Sequence, residues 1–180
     1  MKSLYFLFGF LCLVFNCKVD ALSYRTCDSG RQILNIKKFN ISPDPVQLTA
    51  KEVTISMEAQ LAEDIPTGAR IQVKIWKVTW IFGWKIYIPA PCVLPFGCDV
   101  EHCKFLKEFS EQECPFFVRK STCGCPIKAQ TFKGDGLTIT VPPLGGLVRW
   151  FASGHFWLDL KMADSSGLMS CYSFEGEARS

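Results

Sequence analysis

Ile71-Gln72-Val73-Lys74-Ile75-Trp76-Lys77-Val78-Thr79-Trp80-Ile81-Phe82-Gly83-Trp84-Lys85-Ile86-Tyr87-Ile88 is the stretch from which the fold is read. Its first half alternates. Ile71, Val73 and Ile75 fall on one side of an extended backbone and Gln72, Lys74 and Trp76 on the other, the period-two pattern of a half-buried strand. The strand continues through Val78, Phe82-Gly83 turns the chain, and Trp84 to Ile88 returns along it as a long hairpin.

Outward from this hairpin the same pattern recurs. Val53, Ile55, Met57 and Ala59 alternate with Thr54, Ser56 and Glu58, and Ile65-Pro66-Thr67-Gly68 ends that element. Ile33 to Ile41 is extended and largely apolar, and Ser42-Pro43-Asp44-Pro45 stops it with turn-forming residues. Towards the C-terminus, Leu137 to Val141 alternates, Phe156, Leu158 and Leu160 alternate with Trp157, Asp159 and Lys161, and a last strand runs from Leu168 to Phe174. Between the two halves, Val100, Cys103, Phe105, Leu106 and Phe109 are spaced near 3.6 residues and predict one short amphipathic helix over 99–110. Seven or eight strands and one helix imply a single all-β domain, an antiparallel β-sandwich of immunoglobulin-like type.

Composition agrees with a packed domain. The 180 residues are 48% hydrophobic and 21% charged, which excludes a disordered chain. Twenty Lys and Arg against seventeen Asp and Glu give a formal charge of +3, too even a balance for a nucleic-acid binder. Lys2, the apolar run Leu4 to Phe15 and the ending Val19-Asp20-Ala21 predict a secretory signal over residues 1–21 and a mature domain over 22–180. Twelve apolar residues rise only about 18 Å as a helix, short of a hydrocarbon core of roughly 30 Å.

Without residues 1–21 the formal charge is +2 and eight cysteines remain, at 27, 92, 98, 103, 114, 123, 125 and 171. An even number in an exported chain predicts four disulfides, whose pairing the spacing leaves open. Zinc is the rival reading of Cys123-Gly124-Cys125 and His102-Cys103. A one-residue gap is too short for the usual zinc knuckle, so no metal site is expected.

No catalytic residue is expected either. His102 and His155 are the only imidazoles. His102 precedes Cys103 rather than an Asp, and no Ser sits in a Gly-x-Ser-x-Gly elbow. The chain reads as a non-enzyme without a cofactor.

Two segments are more apolar than loops ought to be. Val141 to Gly154 contains Pro142, Pro143 and three glycines, with Arg149 as its only charge, yet carries Leu144, Leu147, Val148, Trp150 and Phe151. The hairpin tip repeats the theme with Ile81, Phe82 and Trp84. These eight residues are the candidate contacts with lipid or a membrane surface. Asn40-Ile41-Ser42 is a sequon, which makes Asn40 the candidate glycosylation site.

The chain resembles the ganglioside activators of the lipid-recognition β-sandwich (ML-domain) family. The resemblance rests on Thr26-Cys27-Asp28-Ser29-Gly30, Pro43-Asp44-Pro45-Val46, Lys85 to Cys92 read as KIYIPAPC, Gly97-Cys98 and Glu101-His102. Cys123-Gly124-Cys125-Pro126, Trp150 before Gly154, and Cys171 complete it. It implies the pairs Cys27–Cys171, Cys92–Cys98, Cys103–Cys125 and Cys114–Cys123, and a cup whose apolar cavity takes the ceramide tails of a glycosphingolipid. It further implies a secreted or lysosomal accessory protein that lifts its lipid from a membrane and presents it to β-hexosaminidase. The alternative on the same fold is a secreted carrier or sensor of fatty acid, phospholipid or sterol, with no hydrolase partner.

Overall fold

The computed structural model describes residues 22–27, 30–50, 52–92, 97–107, 125–140 and 152–180. The signal segment, the Cys114–Cys123 pair and the five apolar residues of the 141–151 segment lie outside them. Ten strands and one helix occur among the described residues. They are β1 (Ser23–Thr26), β2 (Leu34–Ser42), β3 (Val46–Gln47), β4 (Glu52–Leu61), β5 (Arg70–Ile81), β6 (Trp84–Pro89), β7 (Asp99–Glu101), α1 (His102–Lys107), β8 (Gln130–Thr140), β9 (Gly154–Asp164) and β10 (Gly167–Arg179).

Two sheets form the sandwich. The larger runs β1-β10-β9-β5-β6, with β7 beside the start of β5 and β3 beside the end of β10; the smaller runs β2-β4-β8. Every pairing is antiparallel except the short β3–β10 contact.

β1, β3 and β7 raise the number of strands above seven or eight. β3 has two residues and β7 three, and β1 alternates too little to announce itself, so each is set by its partner strand. The 99–110 helix is corrected in the same way. Residues 99–101 extend along β5, with Glu101 opposite Arg70 and Asp99 opposite Gln72, and α1 starts only at His102. The Arg70 guanidinium reinforces that pairing with an ion pair to Asp99 at 2.8 Å.

β8 starts at Gln130, seven residues before Leu137. The register shifts in between: a β-bulge around Gly134 and Gly136 stands opposite Ile55 to Met57 and interrupts the alternation before Leu137. Gly136 has φ +99°, and a Cβ there would stand 2.9 Å from the Thr54 methyl, so this close approach needs glycine.

The core lies where the sheets meet, around Ile33, Leu61, Ala59, Ile65, Phe132 and Met169. Polar side chains from β10 fasten the sheets there. Ser170 Oγ accepts the backbone N–H groups of Ile33 and Leu34 at 3.1 and 3.0 Å. The Tyr172 hydroxyl accepts from Ile36 N–H at 2.9 Å and donates to the Leu34 carbonyl at 2.8 Å. Edge groups of β2 that would otherwise be buried without partners are thereby satisfied. Disulfides join Cys27 to Cys171, Cys92 to Cys98 and Cys103 to Cys125.

Candidate functional site

A cavity of about 230 Å³ lies between the sheets. Leu34, Ile36, Phe39, Met57 and Phe132 line it from the small sheet, and Ile71, Leu160, Met162 and Phe174 from the large one. Phe105 and Leu106 of α1 close it with Ile65 and Ile127, whose backbones bridge across the end of the sandwich at 2.8 and 3.2 Å. The alternation that predicted half-buried strands is what turns these side chains inward: on β9, Leu160 and Met162 stand opposite Val73 and Ile71 of β5. A space this apolar stays dry and favours an apolar occupant.

Among the described residues His102 is the one polar side chain on the cavity wall, and it is only 1% exposed. Nδ1 lies 3.1 Å from the Ala69 carbonyl. Nε2 lies 3.4 and 3.3 Å from Cys103 Sγ and Cys125 Sγ. Those sulfurs are bonded to each other, so neither is a thiolate that would bind a metal or attack a substrate. The imidazole packs against a carbonyl and a disulfide and acts as wall.

The second feature is the β5–β6 hairpin. Register places Ile81, Trp84, Ile86 and Ile88 on the sheet face that carries Ile71, Val73 and Ile75, the face that lines the cavity. The apolar ladder is broken at Lys77 and Thr79 and then resumes to the tip. From Ile71 to Ile81 it runs about 33 Å. Among the described residues β9 pairs with β5 as far as His155 opposite Val78, and beyond that point the hairpin continues as a two-stranded ribbon.

Ile81 is 48%, Trp84 78% and Phe82 97% exposed. Phe82 and Gly83 have φ of +50° and +82°, the geometry of a tight two-residue hairpin turn. Gly suits that geometry and Phe does not, since left-handed backbone costs a bulky residue about 1 kcal/mol or more. An exposed ring held at such a cost points to a use outside the fold. Trp80, Lys85 and Tyr87 occupy the opposite face of the hairpin, where the Glu175 carboxylate holds the Lys85 ammonium above its ordinary pKa.

Three of the eight expected lipid contacts, Ile81, Phe82 and Trp84, therefore stand together at an exposed tip. Leu144, Leu147, Val148, Trp150 and Phe151 lie outside the described residues. Asn40 is exposed on β2, an edge strand of the small sheet. Sequence reading missed the cavity wall altogether: nothing local distinguishes Phe39, Phe132 or Phe174 from ordinary core until the two sheets are superposed.

A β-sandwich that encloses an apolar space between its sheets and carries an apolar ribbon on the same face has the build of a lipid-binding fold. Residues 21–177 match the family model described as ML domain, and the chain belongs to that family, a lipid-binding fold. Among curated proteins it is 25% identical over 160 residues to the ganglioside GM2 activator of Mus musculus, covering 86% of this chain and 80% of that protein. The ganglioside GM2 activator of Macaca fascicularis is 24% identical over 160 residues, covering 86% and 81%. Among solved structures, a Niemann-Pick type C2 protein from Japanese carpenter ant is 15% identical with a TM-score of 0.46, covering 87% of this chain and 99% of that one. Among the described residues no helix is long and apolar enough to cross a membrane.

Proposed function

We propose that this chain is a non-enzymatic lipid-transfer protein, which lifts a glycosphingolipid of the ganglioside class from a membrane and presents its sugar head to a soluble β-N-acetylhexosaminidase. The observation that carries the reading is the apolar face that runs from the cavity towards the exposed hairpin tip, interrupted on β5 at Lys77 and Thr79 and continued on β6 by Ile88 and Ile86. The names of the two curated relatives support the choice of cargo and of an activator role.

In this mechanism Ile81, Phe82 and Trp84 enter the interfacial layer, together with Leu144, Leu147, Val148, Trp150 and Phe151 from the 141–151 segment. Burying one such side chain contributes about 1.5–3 kcal/mol, so partial entry of a few gives reversible attachment without anchoring. A lipid tail then moves along the inner face into the cavity, where each methylene removed from water contributes about 0.8 kcal/mol. The cavity of about 230 Å³ is smaller than the roughly 300–1,000 Å³ of pockets for drug-sized ligands, so the tails extend along the ladder beyond it. The sugar head stays in water. The chain itself cuts nothing, and no cofactor enters. A secreted or lysosomal destination and a glycan on Asn40 accompany this reading.

The test adds the purified mature chain to β-hexosaminidase and ganglioside-bearing liposomes. Faster release of the terminal sugar is expected, with the lipid carried by the chain in native mass spectrometry. No rise in turnover, with fatty acid, sterol or phospholipid as the co-purifying lipid, replaces the activator role by that of a carrier without a hydrolase partner.

A further inference from the structure

The face of the large sheet that points away from the cavity carries a second constellation. Across it, register sets Trp80 beside Lys85 and Val78 beside Tyr87, with Trp157 between Trp76 on β5 and Glu175 on β10. The Lys85 ammonium reaches into the space among three rings, 6.0 Å from the centre of Trp80, 5.8 Å from Tyr87 and 6.0 Å from Trp157. The Glu175 carboxylate pairs with it. Tyr87 meets Trp157 at an interplanar angle of 89°, so these rings form adjacent walls of a box rather than one flat shelf.

An anion has its own place on the same ring. The Arg25 guanidinium stacks 4.7 Å from the centre of Trp157, and among the described residues no carboxylate lies within ion-pair distance of it. Its fork of N–H donors is thereby left for an oxyanion. Trp157 is itself fixed, with Nε1–H donating to Asp159 Oδ1 at 2.8 Å and Ser173 Oγ–H donating to the same oxygen at 2.6 Å.

We propose that this outer face is a phosphocholine site, with Trp80, Tyr87, Trp157 and Glu175 taking the quaternary ammonium and Arg25 the phosphate. Upright ring walls with a carboxylate suit a cation that donates no hydrogen bonds, the known use of aromatic cages. A sugar ring would need a flat aromatic shelf, and a lone phosphate would gain nothing from the rings. Lys85 occupies the cation position in the free protein. Its side chain is one-third exposed on an edge strand, so the ion pair it gives up is worth only about 0–1 kcal/mol, and the ring contacts it gives up are replaced in kind by those of the quaternary ammonium. Swung outward, it adds a second positive charge near the phosphate. The site is separate from the cavity, because it lies on the opposite face of the large sheet.

Calorimetry on the mature chain with phosphocholine, choline and inorganic phosphate tests this. Arg25→Gln is expected to weaken phosphocholine about tenfold, the worth of one charge-assisted hydrogen-bonding group, and to leave choline unchanged. Lys85→Ala vacates the box and is expected to tighten choline, whereas Trp157→Leu weakens both ligands. Phosphatidylcholine vesicles, compared with phosphatidylglycerol vesicles on the Arg25→Gln variant, separate the two sources. Selective loss on phosphatidylcholine points to a membrane head group, and loss on soluble phosphocholine alone to the free ligand. Choline binding by neither the wild type nor Lys85→Ala overturns the proposal, as does phosphocholine affinity indifferent to Arg25.

Discussion

β4 and β6 are both apolar, alternating strands, and they have opposite fates. On β4, Ala59 and Leu61 are buried under the facing sheet, Leu61 to 2% exposure, and join the core around Ile33 and Phe132. On β6 every residue is exposed, Ile88 to 48%, although Ile86 and Ile88 face the same side of their sheet as the cavity wall. An apolar stripe is core where a second sheet covers it. Where the covering sheet does not reach, the same stripe becomes a surface for something else.

Truncation is the most direct way to break that distinction. Leu61→Ala should cost about 2–5 kcal/mol in urea denaturation, because the cavity it leaves is walled by packed neighbours. Ile88→Ala should cost only about 0.5 kcal/mol, as for a solvated position. Equal losses would mean that β6 is core after all.

Removing the Cys27–Cys171 bridge, which spans 144 residues, should lower stability by about 2–4 kcal/mol, read in the same denaturation experiment. Liposome attachment should be unchanged at temperatures where the variant remains folded, since the bridge ties the residue after β1 to β10, away from the tip. Replacing Ile81, Phe82 and Trp84 together by Ser should do the reverse. Sedimentation with liposomes should show attachment reduced about a hundredfold, from roughly 1 kcal/mol lost per half-buried side chain, with the unfolding midpoint unmoved.

Phe82→Asn sharpens the comparison further. Asn accepts left-handed backbone better than Phe, so the variant should be more stable by about 1 kcal/mol while binding membranes less. A loss of stability would place Phe82 in the fold's own packing.

The smallest effect concerns acid. Lys128 Nζ and the Ala129 N–H both donate to Asp64 at 2.8 Å, and they hold its carboxyl below the ordinary 3.8. A depressed folded pKa stabilises above the unfolded value, and the gain disappears as pH falls through the folded one. Denaturation at about pH 6 and about pH 3 should therefore show slightly less acid sensitivity in Asp64→Asn than in the wild type. The tip, which has no acidic residue, should not contribute.

How much of this was legible in the chain differs from element to element. The hairpin was read almost to the residue, because alternation, β-branching and a Phe-Gly turn are local signals. α1 starts three residues later than its periodicity predicts, since the pairing of 99–101 with β5 depends on a strand nearly thirty residues away. β8 extends seven residues beyond its alternating stretch, because the bulge at Gly134 and Gly136 breaks the period and is set by the strand opposite, where Thr54 stands. The apolar tip was visible as an anomaly of composition. The cavity was not, for its wall comes from six strands whose order no local pattern encodes.

By itself the sequence determined the longer strands, the hairpin turn, an even number of cysteines beyond residue 21 and the presence of more apolar surface than one small domain's loops explain. Only the tertiary structure decided which apolar faces meet and which are left bare. The reason is physical. Period-two alternation tells which residues share a face, a property of the backbone alone, but burial belongs to a pair of faces. Whether Leu61 is core and Phe82 is surface is settled when one sheet ends before the other.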